Sequence, residues 1–163
     1  MPAVPLSPHK RYSALDGLQI AFLPVVAAAT DIPTRAEINA GTDVSTEVDG
    51  LGEGWDVQPE SIKMPGLVRF EGSLPGKLTV EDSTLNFYAS SDGDDITDVL
   101  PDGTSGYIVI FPNGDKPAAR MNIWPVRVNR LTELHSTENA SLHRVTFSHL
   151  RLPKERVPVP ASP

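Results

Sequence analysis

The sequence contains no cysteine, which excludes disulfide bonds and thiolate metal sites. It also contains no apolar run of about 18 residues, the length that a membrane-spanning helix needs. Residues 1–17 lack the apolar stretch of about 7–15 residues that is typical of a signal peptide. We therefore expect a chain that is made in the cytoplasm, does not contact a membrane, and is held together by packing, hydrogen bonds and association with other copies.

Positive charge is scarce. The chain has 14 Lys and Arg against 21 Asp and Glu, a net charge of −7. This balance opposes ordinary nucleic-acid binding, in which Lys and Arg neutralise phosphates. The acids are concentrated in residues 31–60 and 81–102, and the bases in residues 116–156. Such unevenness is typical of a solvated surface, and it would also let an acidic face of one copy meet a basic face of another.

Proline and glycine are frequent, at 16 and 12 residues, and favour short strands joined by turns over long helices. Strand patterns occur at residues 18–23, 61–64, 68–71, 77–81, 85–88, 106–111, 119–130 and 142–150. Residues 106–111 are apolar on both faces and are predicted to be central. Pro125 interrupts residues 119–130 and predicts a bulge or an edge position. The predicted fold is mainly β, a sandwich or barrel-like structure.

Two short helices interrupt the strands. Thr34 and Glu37 form a capping-box pattern, and Gly41 follows where that helix would end. A second helix is predicted over residues 94–100, because acids precede an apolar turn. Between the helices, the apolar positions change from even at Leu78 to odd at Leu85, which predicts a turn or bulge near residues 82–83.

The chain is predicted to form a single domain over residues 15–151. It includes a long loop at about residues 41–56, which are acidic and rich in glycine. Residues 1–14 and the Pro-rich residues 152–163 are predicted to be arms outside the domain. Such arms are either free tails or segments that become ordered on a neighbouring subunit.

Residues that could carry chemistry do not converge. His143 and His149 share a face of one predicted strand, but roughly 20 Å separates them, whereas metal ligands lie about 2 Å from their ion. The acids from Asp92 onward lack the Gly and Glu positions of an EF-hand loop. Residues 50–54 lack the last glycine of a dinucleotide-binding loop. No catalytic residue, metal site or cofactor is predicted, and we expect a structural protein rather than an enzyme.

Several segments together resemble one family. They are residues 33–43 (PTRAEINAGTD), 54–55 (GW), 82–88 (DSTLNFY), 103–109 (GTSGYIV) and 124–128 (WPVRV). In this order and spacing, over residues 15–150, the chain resembles the major tail tube proteins of long-tailed (siphovirus-type) bacteriophages.

The resemblance implies a β-sandwich flanked by a helix, with six copies in a ring whose inner sheets join into one barrel. Rings would stack into a tube in the virion tail, through which double-stranded DNA passes. Tape-measure, tail-tip and terminator proteins would be its partners. The candidates for contacts between subunits or stacked rings are Thr42, Asp43, Glu47, Asp49, Glu53 and Trp55. The candidate acids of the lumen, where like charge would keep DNA from sticking, are Asp92, Asp94, Asp95, Asp98 and Asp102.

Two other interpretations stay open at this point. A head–tail connector or a capsid decoration protein would form a single ring or a trimer but not a stacked tube. A monomeric β-sandwich that binds carbohydrate or protein would need aromatic side chains exposed in a groove. The chain has only five Phe, three Tyr and two Trp, and most lie in predicted core strands, which disfavours the binding module.

Overall fold

The computed structural model describes residues 17–65, 72–91 and 96–161, and these form ten strands and two short helices. The strands are β1 Gln19–Leu23, β2 Thr42–Asp43, β3 Val48–Leu51, β4 Gln58–Met64, β5 Gly72–Thr79, β6 Ser83–Tyr88, β7 Ser105–Phe111, β8 Arg120–Leu134, β9 Leu142–His149 and β10 Lys154–Pro158. The helices are α1 Arg35–Ala40 and α2 Ile96–Val99. The predicted mainly β fold with one or two short helices is confirmed.

The main sheet curls until its two ends meet. Its antiparallel strand order is β2-β1-β7-β8-β9-β6-β3, and β10 pairs with β8 beside this path. Only residues 44–47 separate β2 from β3, although these strands lie at opposite ends. In this segment the Val44 N–H donates to the Ile20 carbonyl at 3.0 Å, and the Glu47 carbonyl accepts from the Tyr88 N–H at 2.8 Å. The segment is thus bonded to both β1 and β6, which gives the sheet a barrel-like form.

Two cores lie on the two faces of this sheet, because successive side chains of a strand point to opposite faces. The inner core takes side chains from β1, β6, β7, β8 and β9 and includes the buried Trp124 and Phe147. The outer core lies on β1, β7 and β8 around Phe111, and it is covered by Ile38 of α1 and by Val159. Each fully buried large side chain contributes roughly 1.5–3 kcal/mol, so both faces of the central strands stabilise the fold.

The first helix forms as its local sequence predicts. The Thr34 hydroxyl accepts from the Glu37 N–H at 3.3 Å, and the Glu37 carboxylate accepts from the Thr34 N–H at 2.7 Å. This is the predicted capping box, and α1 starts directly after its first residue, Thr34. Gly41 ends the helix as predicted, but in an extended conformation with φ −72° and not in the left-handed one.

The central position of β7 is confirmed, since it pairs with β1 on one side and β8 on the other. No bulge lies at Pro125, but the predicted edge exists locally, because no strand pairs with β8 on one side at this residue. On one side of β8, Pro125 lies opposite Tyr107 of β7. On the other side, β10 pairs with β8 up to Ile123 and β9 pairs with it from Val126 onward, so Pro125 falls between these two neighbours. The Pro125 carbonyl points to that side, where it accepts from the Leu150 N–H at 3.0 Å. The missing proline N–H therefore faces a gap between two neighbours, and no ladder bond is lost.

Two segments that were predicted to lie outside the sheet belong to it. The predicted loop at residues 41–56 contains β2 and β3, which are too short for an alternating pattern to show in the sequence. The predicted arm at residues 152–163 contains β10, whose last residue, Pro158, is tolerated because the strand pairs on one side only, with β8. The predicted arm at residues 1–14 and the predicted strand at residues 68–71 lie outside the described residues.

The predicted break near residues 82–83 is confirmed. β5 ends at Thr79 and β6 begins at Ser83, and the two strands belong to different sheets. The change of apolar parity therefore marks the point where the chain passes from a separate hairpin back into the barrel.

Candidate assembly site

A two-stranded hairpin, β4 and β5, stands apart from the main sheet. All seven residues of β4 and most of those of β5 are exposed. Four of its large apolar side chains are about half exposed, namely Ile62 at 57%, Met64 at 46%, Leu74 at 49% and Leu78 at 54%. A lone two-stranded hairpin is at best marginally stable in water, and a concentration of exposed apolar side chains marks a protein–protein contact. The hairpin therefore has the character of a surface that another chain covers.

The pairing register places three of these side chains on one face. Ile62 lies opposite Leu74, and Met64 is two residues further along the same strand. Leu78 lies opposite Pro59, beyond a register shift between Pro59 and Ser61, so strand alternation does not extend this face to it. We call Ile62, Met64 and Leu74 the hairpin face.

Trp55 anchors the hairpin to the barrel. Its indole N–H donates to the Thr84 carbonyl of β6 at 3.0 Å. Its ring contacts three other rings, with centroid distances of 5.4 Å to Trp124 and 5.8 Å to Phe147 in the inner core, and 5.9 Å to His149. Aromatic contacts at such distances stabilise beyond their buried area, so the hairpin begins from a fixed point.

His149 completes this anchor in its neutral form. Ser83 Oγ lies 2.6 Å from the Gly54 carbonyl, to which it donates, and 2.6 Å from His149 Nε2. Because the hydroxyl proton is used on Gly54, Nε2 carries a proton and donates to Ser83. Burial lowers the pKa of His149, and the charge of Asp82 partly opposes this effect. Nδ1 is buried and has no partner among the described residues, so a second proton there would find no acceptor.

A cavity of about 310 Å³ lies at the other end of β6 from this anchor. Its lining residues are Thr42, Asp43, Val44, Glu47, Tyr88, Ser90, Ile96, Asp98 and Val99. The floor is apolar, since Val44 and Ile96 are buried, and the rim carries three exposed carboxylates. We call it the acidic cavity. β6 runs from Ser83 at the hairpin base to Tyr88 at this cavity, a distance of roughly 17 Å.

Four of the predicted contact residues lie at the acidic cavity. Thr42, Asp43 and Glu47 line it, and Asp49 accepts a hydrogen bond of 2.8 Å from the hydroxyl of Tyr88. That bond to a carboxylate raises the pKa of Tyr88 above its usual value. The barrel closure brings these residues together. That they contact another copy stays a prediction.

The other candidates are dispersed. Glu53 and Trp55 lie at the hairpin base, where the Glu53 carbonyl accepts from the Thr84 N–H at 3.0 Å. Asp98 lines the acidic cavity, whereas Asp102 accepts from the Leu131 N–H at 2.7 Å on β8. The other predicted lumen acids lie outside the described residues, and these are Asp92, Asp94 and Asp95. Exposure on a lumen stays a prediction for all five.

Sequence reasoning missed the hairpin face as a contact surface. The alternation in residues 61–64 was visible and correctly predicted a strand. An alternating pattern shows that one face is apolar, but it holds no information on whether the chain itself covers that face.

Within the three described ranges, no group of three His, Asp or Glu side chains is arranged to hold a metal ion. None of the helices formed by these residues has the length and apolarity to cross a membrane. The Ser83–His149 pair is no exposed nucleophile, because Ser83 is completely buried.

Solved structures of injection machines share this fold. A chain of the PVC sheath/tube terminator of an extracellular contractile injection system is 10% identical, with a TM-score of 0.62 over 89% of this chain and 98% of that chain. A chain of the PVC sheath–tube complex is 12% identical, with a TM-score of 0.56 over 87% and 95%. A chain of the anti-feeding prophage baseplate is 10% identical, with a TM-score of 0.53 over 94% and 96%. Identities this low show the fold alone, a β-rich fold found in tail-like assemblies.

The family is established from the sequence. No curated protein matches it, but the family model described as phage tail tube protein matches residues 7–162. The chain therefore belongs to the phage tail tube protein family, and it is a structural component of the phage tail and not an enzyme. The predicted family membership and tail localisation are confirmed.

Proposed function

We propose that the chain is the repeating subunit of a phage tail tube. Six copies form a ring, and stacked rings form a hollow tube through which double-stranded DNA passes to the host. The observation that carries the proposal is the exposed hairpin. A single copy leaves four of its large apolar side chains uncovered, namely Ile62, Met64, Leu74 and Leu78.

Association would give these side chains the burial that a single copy lacks. Complete burial of a large apolar side chain contributes roughly 1.5–3 kcal/mol, so covering four half-exposed ones contributes about 4 kcal/mol per copy. Each copy makes two contacts, one through its own hairpin and one through the surface that receives the hairpin of a neighbour. Repeated contacts of this kind between different surfaces generate rings or open stacks.

Ring size and DNA passage rest on other support. The resemblance to tail tube proteins implies six copies, and the anti-feeding prophage baseplate that shares the fold has sixfold symmetry. The net charge of −7 suits a conduit that DNA slides through without binding. Tape-measure, tail-tip and terminator proteins fit as partners, because the structural neighbours come from sheath, tube and baseplate assemblies.

The hairpin's role is tested by charging its face. Ile62→Asp with Leu74→Asp places two charges on the hairpin face, and Ser61→Asp with Ser73→Asp is the matched control, with two charges on the exposed opposite face of the hairpin. Light scattering at rising concentration should show assembly of the wild type and the control but not of the hairpin-face variant. Circular dichroism should show all three folded, because the hairpin lies outside both cores. Equal assembly of all three proteins would contradict the proposal.

A terminator or connector that forms one closed ring is the second candidate, favoured by the likeness to the PVC sheath/tube terminator. It differs from the tube subunit in one observable property, since its rings do not stack on themselves. Particles of a single ring height at every concentration would support it over the tube subunit.

A further inference from the structure

We propose that His149 is a proton-operated clamp on the base of the hairpin. The clamp holds the base while the imidazole ring is neutral and releases it when the ring is protonated. It is a property of the single subunit and goes beyond the proposed function.

The hairpin base, residues 52–57 between β3 and β4, is attached to the barrel at one point. These residues belong to no strand, and their hydrogen bonds go to the first two residues of β6. The Glu53 carbonyl accepts from the Thr84 N–H at 3.0 Å, and the Trp55 indole N–H donates to the Thr84 carbonyl at 3.0 Å. Ser83 Oγ donates to a further carbonyl of the base at 2.6 Å. A change at this point can therefore release the base without unfolding the barrel.

His149 lies at this point of attachment. Its Nε2 donates to Ser83 Oγ at 2.6 Å, and its ring centroid lies 5.9 Å from that of Trp55 and 5.2 Å from that of Trp124. The neutral ring uses its one N–H in the bond to Ser83, so a second proton would go to Nδ1, which is buried and has no partner in the described part of the chain. A buried donor without an acceptor destabilises the arrangement that buries it. Movement of Trp55 away from the ring would let water accept that proton.

The charges around the ring leave the neutral form favoured while the base is clamped. Burial lowers the pKa of His149, and the Asp82 carboxylate partly opposes this effect. Asp82 is itself exposed and accepts from Asn129 Nδ2 at 3.2 Å. Other charged side chains on the neighbouring segments are exposed to solvent, and these are Glu53, Asp56, Glu81, Arg127 and Arg151. Solvent and salt screen such exposed charges, so they do little to stabilise the imidazolium.

Acid therefore favours the released state. A released ring is exposed and titrates near the usual pKa of 6.5, whereas the clamped ring has a lower pKa. Below pH 6.5, release of the base takes up a proton. Each pH unit then raises the released fraction by up to about tenfold, until the pKa of the clamped ring is reached.

The clamp would give assembly a dependence on pH. A hairpin whose base is fixed loses less conformational freedom when another chain covers it, so release of the base should weaken that association. This consequence rests on the proposed function, whereas the clamp itself does not.

Hydrogen exchange of the unassembled protein, measured by NMR at pH 7.0 and pH 5.5, tests the clamp. Both pH values lie above the pI of about 5.0. The reporters are the Thr84 amide and the Trp55 indole N–H, which bond to and from the hairpin base. The reference is the Val128 amide, which donates to the Thr104 carbonyl at 2.8 Å within the barrel. Rates are converted to protection factors, which removes the intrinsic effect of pH on exchange.

The two reporters should be less protected than Val128 at both pH values, because they exchange through a local opening. Their protection should fall roughly threefold to eightfold from pH 7.0 to pH 5.5. His149→Gln keeps a neutral donor for Ser83 and should abolish this fall. His135→Gln is the matched control, since the side chain of His135 is 80% exposed, and it should show the same fall as the wild type.

Reporters as well protected as Val128 would overturn the proposal, because the base would then open only with the whole barrel. Protection that does not change with pH, or that falls equally in His149→Gln, would overturn it too. If His149→Gln does not fold, Asp82→Asn decides the question. Loss of this carboxylate lowers the pKa of the clamped ring further, so the fall should be larger than in the wild type, and a smaller fall would contradict the clamp. Each of these failures leaves the tube function intact, because that function is tested by assembly.

Discussion

Replacing Trp55 with alanine should destabilise the subunit and release the base of its hairpin. A fully buried Trp→Ala substitution costs about 3–5 kcal/mol, and Trp55 is only partly buried. The loss includes one hydrogen bond, to the Thr84 carbonyl at 3.0 Å, and three aromatic contacts. We expect about 3 kcal/mol in total, with about 1 kcal/mol from the hydrogen bond. A chain of this size should then unfold roughly 6–12 °C lower.

The assay is urea unfolding of the unassembled protein, followed by circular dichroism. Trp55→Phe is the matched variant, since it keeps a ring in the aromatic cluster but removes the N–H donor, and it should lose about 1–2 kcal/mol. Leu78→Ala, on the exposed hairpin, should change the free energy of unfolding by less than about 0.5 kcal/mol. A loss below about 1 kcal/mol for Trp55→Ala would refute the role of Trp55 as the anchor.

Three further substitutions test the fold that positions the site. His149 has a folded-state pKa below its usual 6.5, so the unfolded chain binds the proton first and stability should fall as the pH drops below about 6.5. Between pH 7 and pH 5, the urea midpoint of His149→Gln should fall less than that of the wild type. Equal falls would contradict the buried neutral ring. Gly52→Ala should cost about 2 kcal/mol or more, because its Cβ would overlap the Thr84 carbonyl. Gly50→Ala is the control, since a Cβ at Gly50 meets nothing within 4 Å. Similar melting temperatures for the two variants would refute this packing. Val159→Asp should cost about 3 kcal/mol, because Val159 is 3% exposed in the outer core. An unchanged melting temperature would show that the segment after β10 does not dock on the outer core.

The elements that the sequence predicted well are those whose stabilising contacts are local or whose patterns are long. Thr34 and Glu37 bond to each other within one turn, so four residues are enough to predict where α1 starts. β7 is apolar on both faces for most of its length, which indicates a strand covered on both faces of the sheet, and such strands are central. The change of apolar parity at Leu85 also follows from strand geometry alone.

The elements that were missed depend on distant partners. β2 spans two residues and exists because it pairs with β1, and β10 ends in a proline that only an edge position accommodates. The acidic cavity unites Asp43, Glu47 and Asp98 because the barrel closes there, and no spacing in the sequence encodes that closure. The hairpin face is apolar in the sequence, but only the structure shows that its own chain leaves it uncovered.

Negative-stain electron microscopy of the purified chain at rising concentration tests the central claim most directly. The account predicts hollow tubes of stacked rings, with the fraction of protein in tubes increasing with concentration. Uniform small particles at every concentration, persisting after tail-tip partners are added, would contradict it.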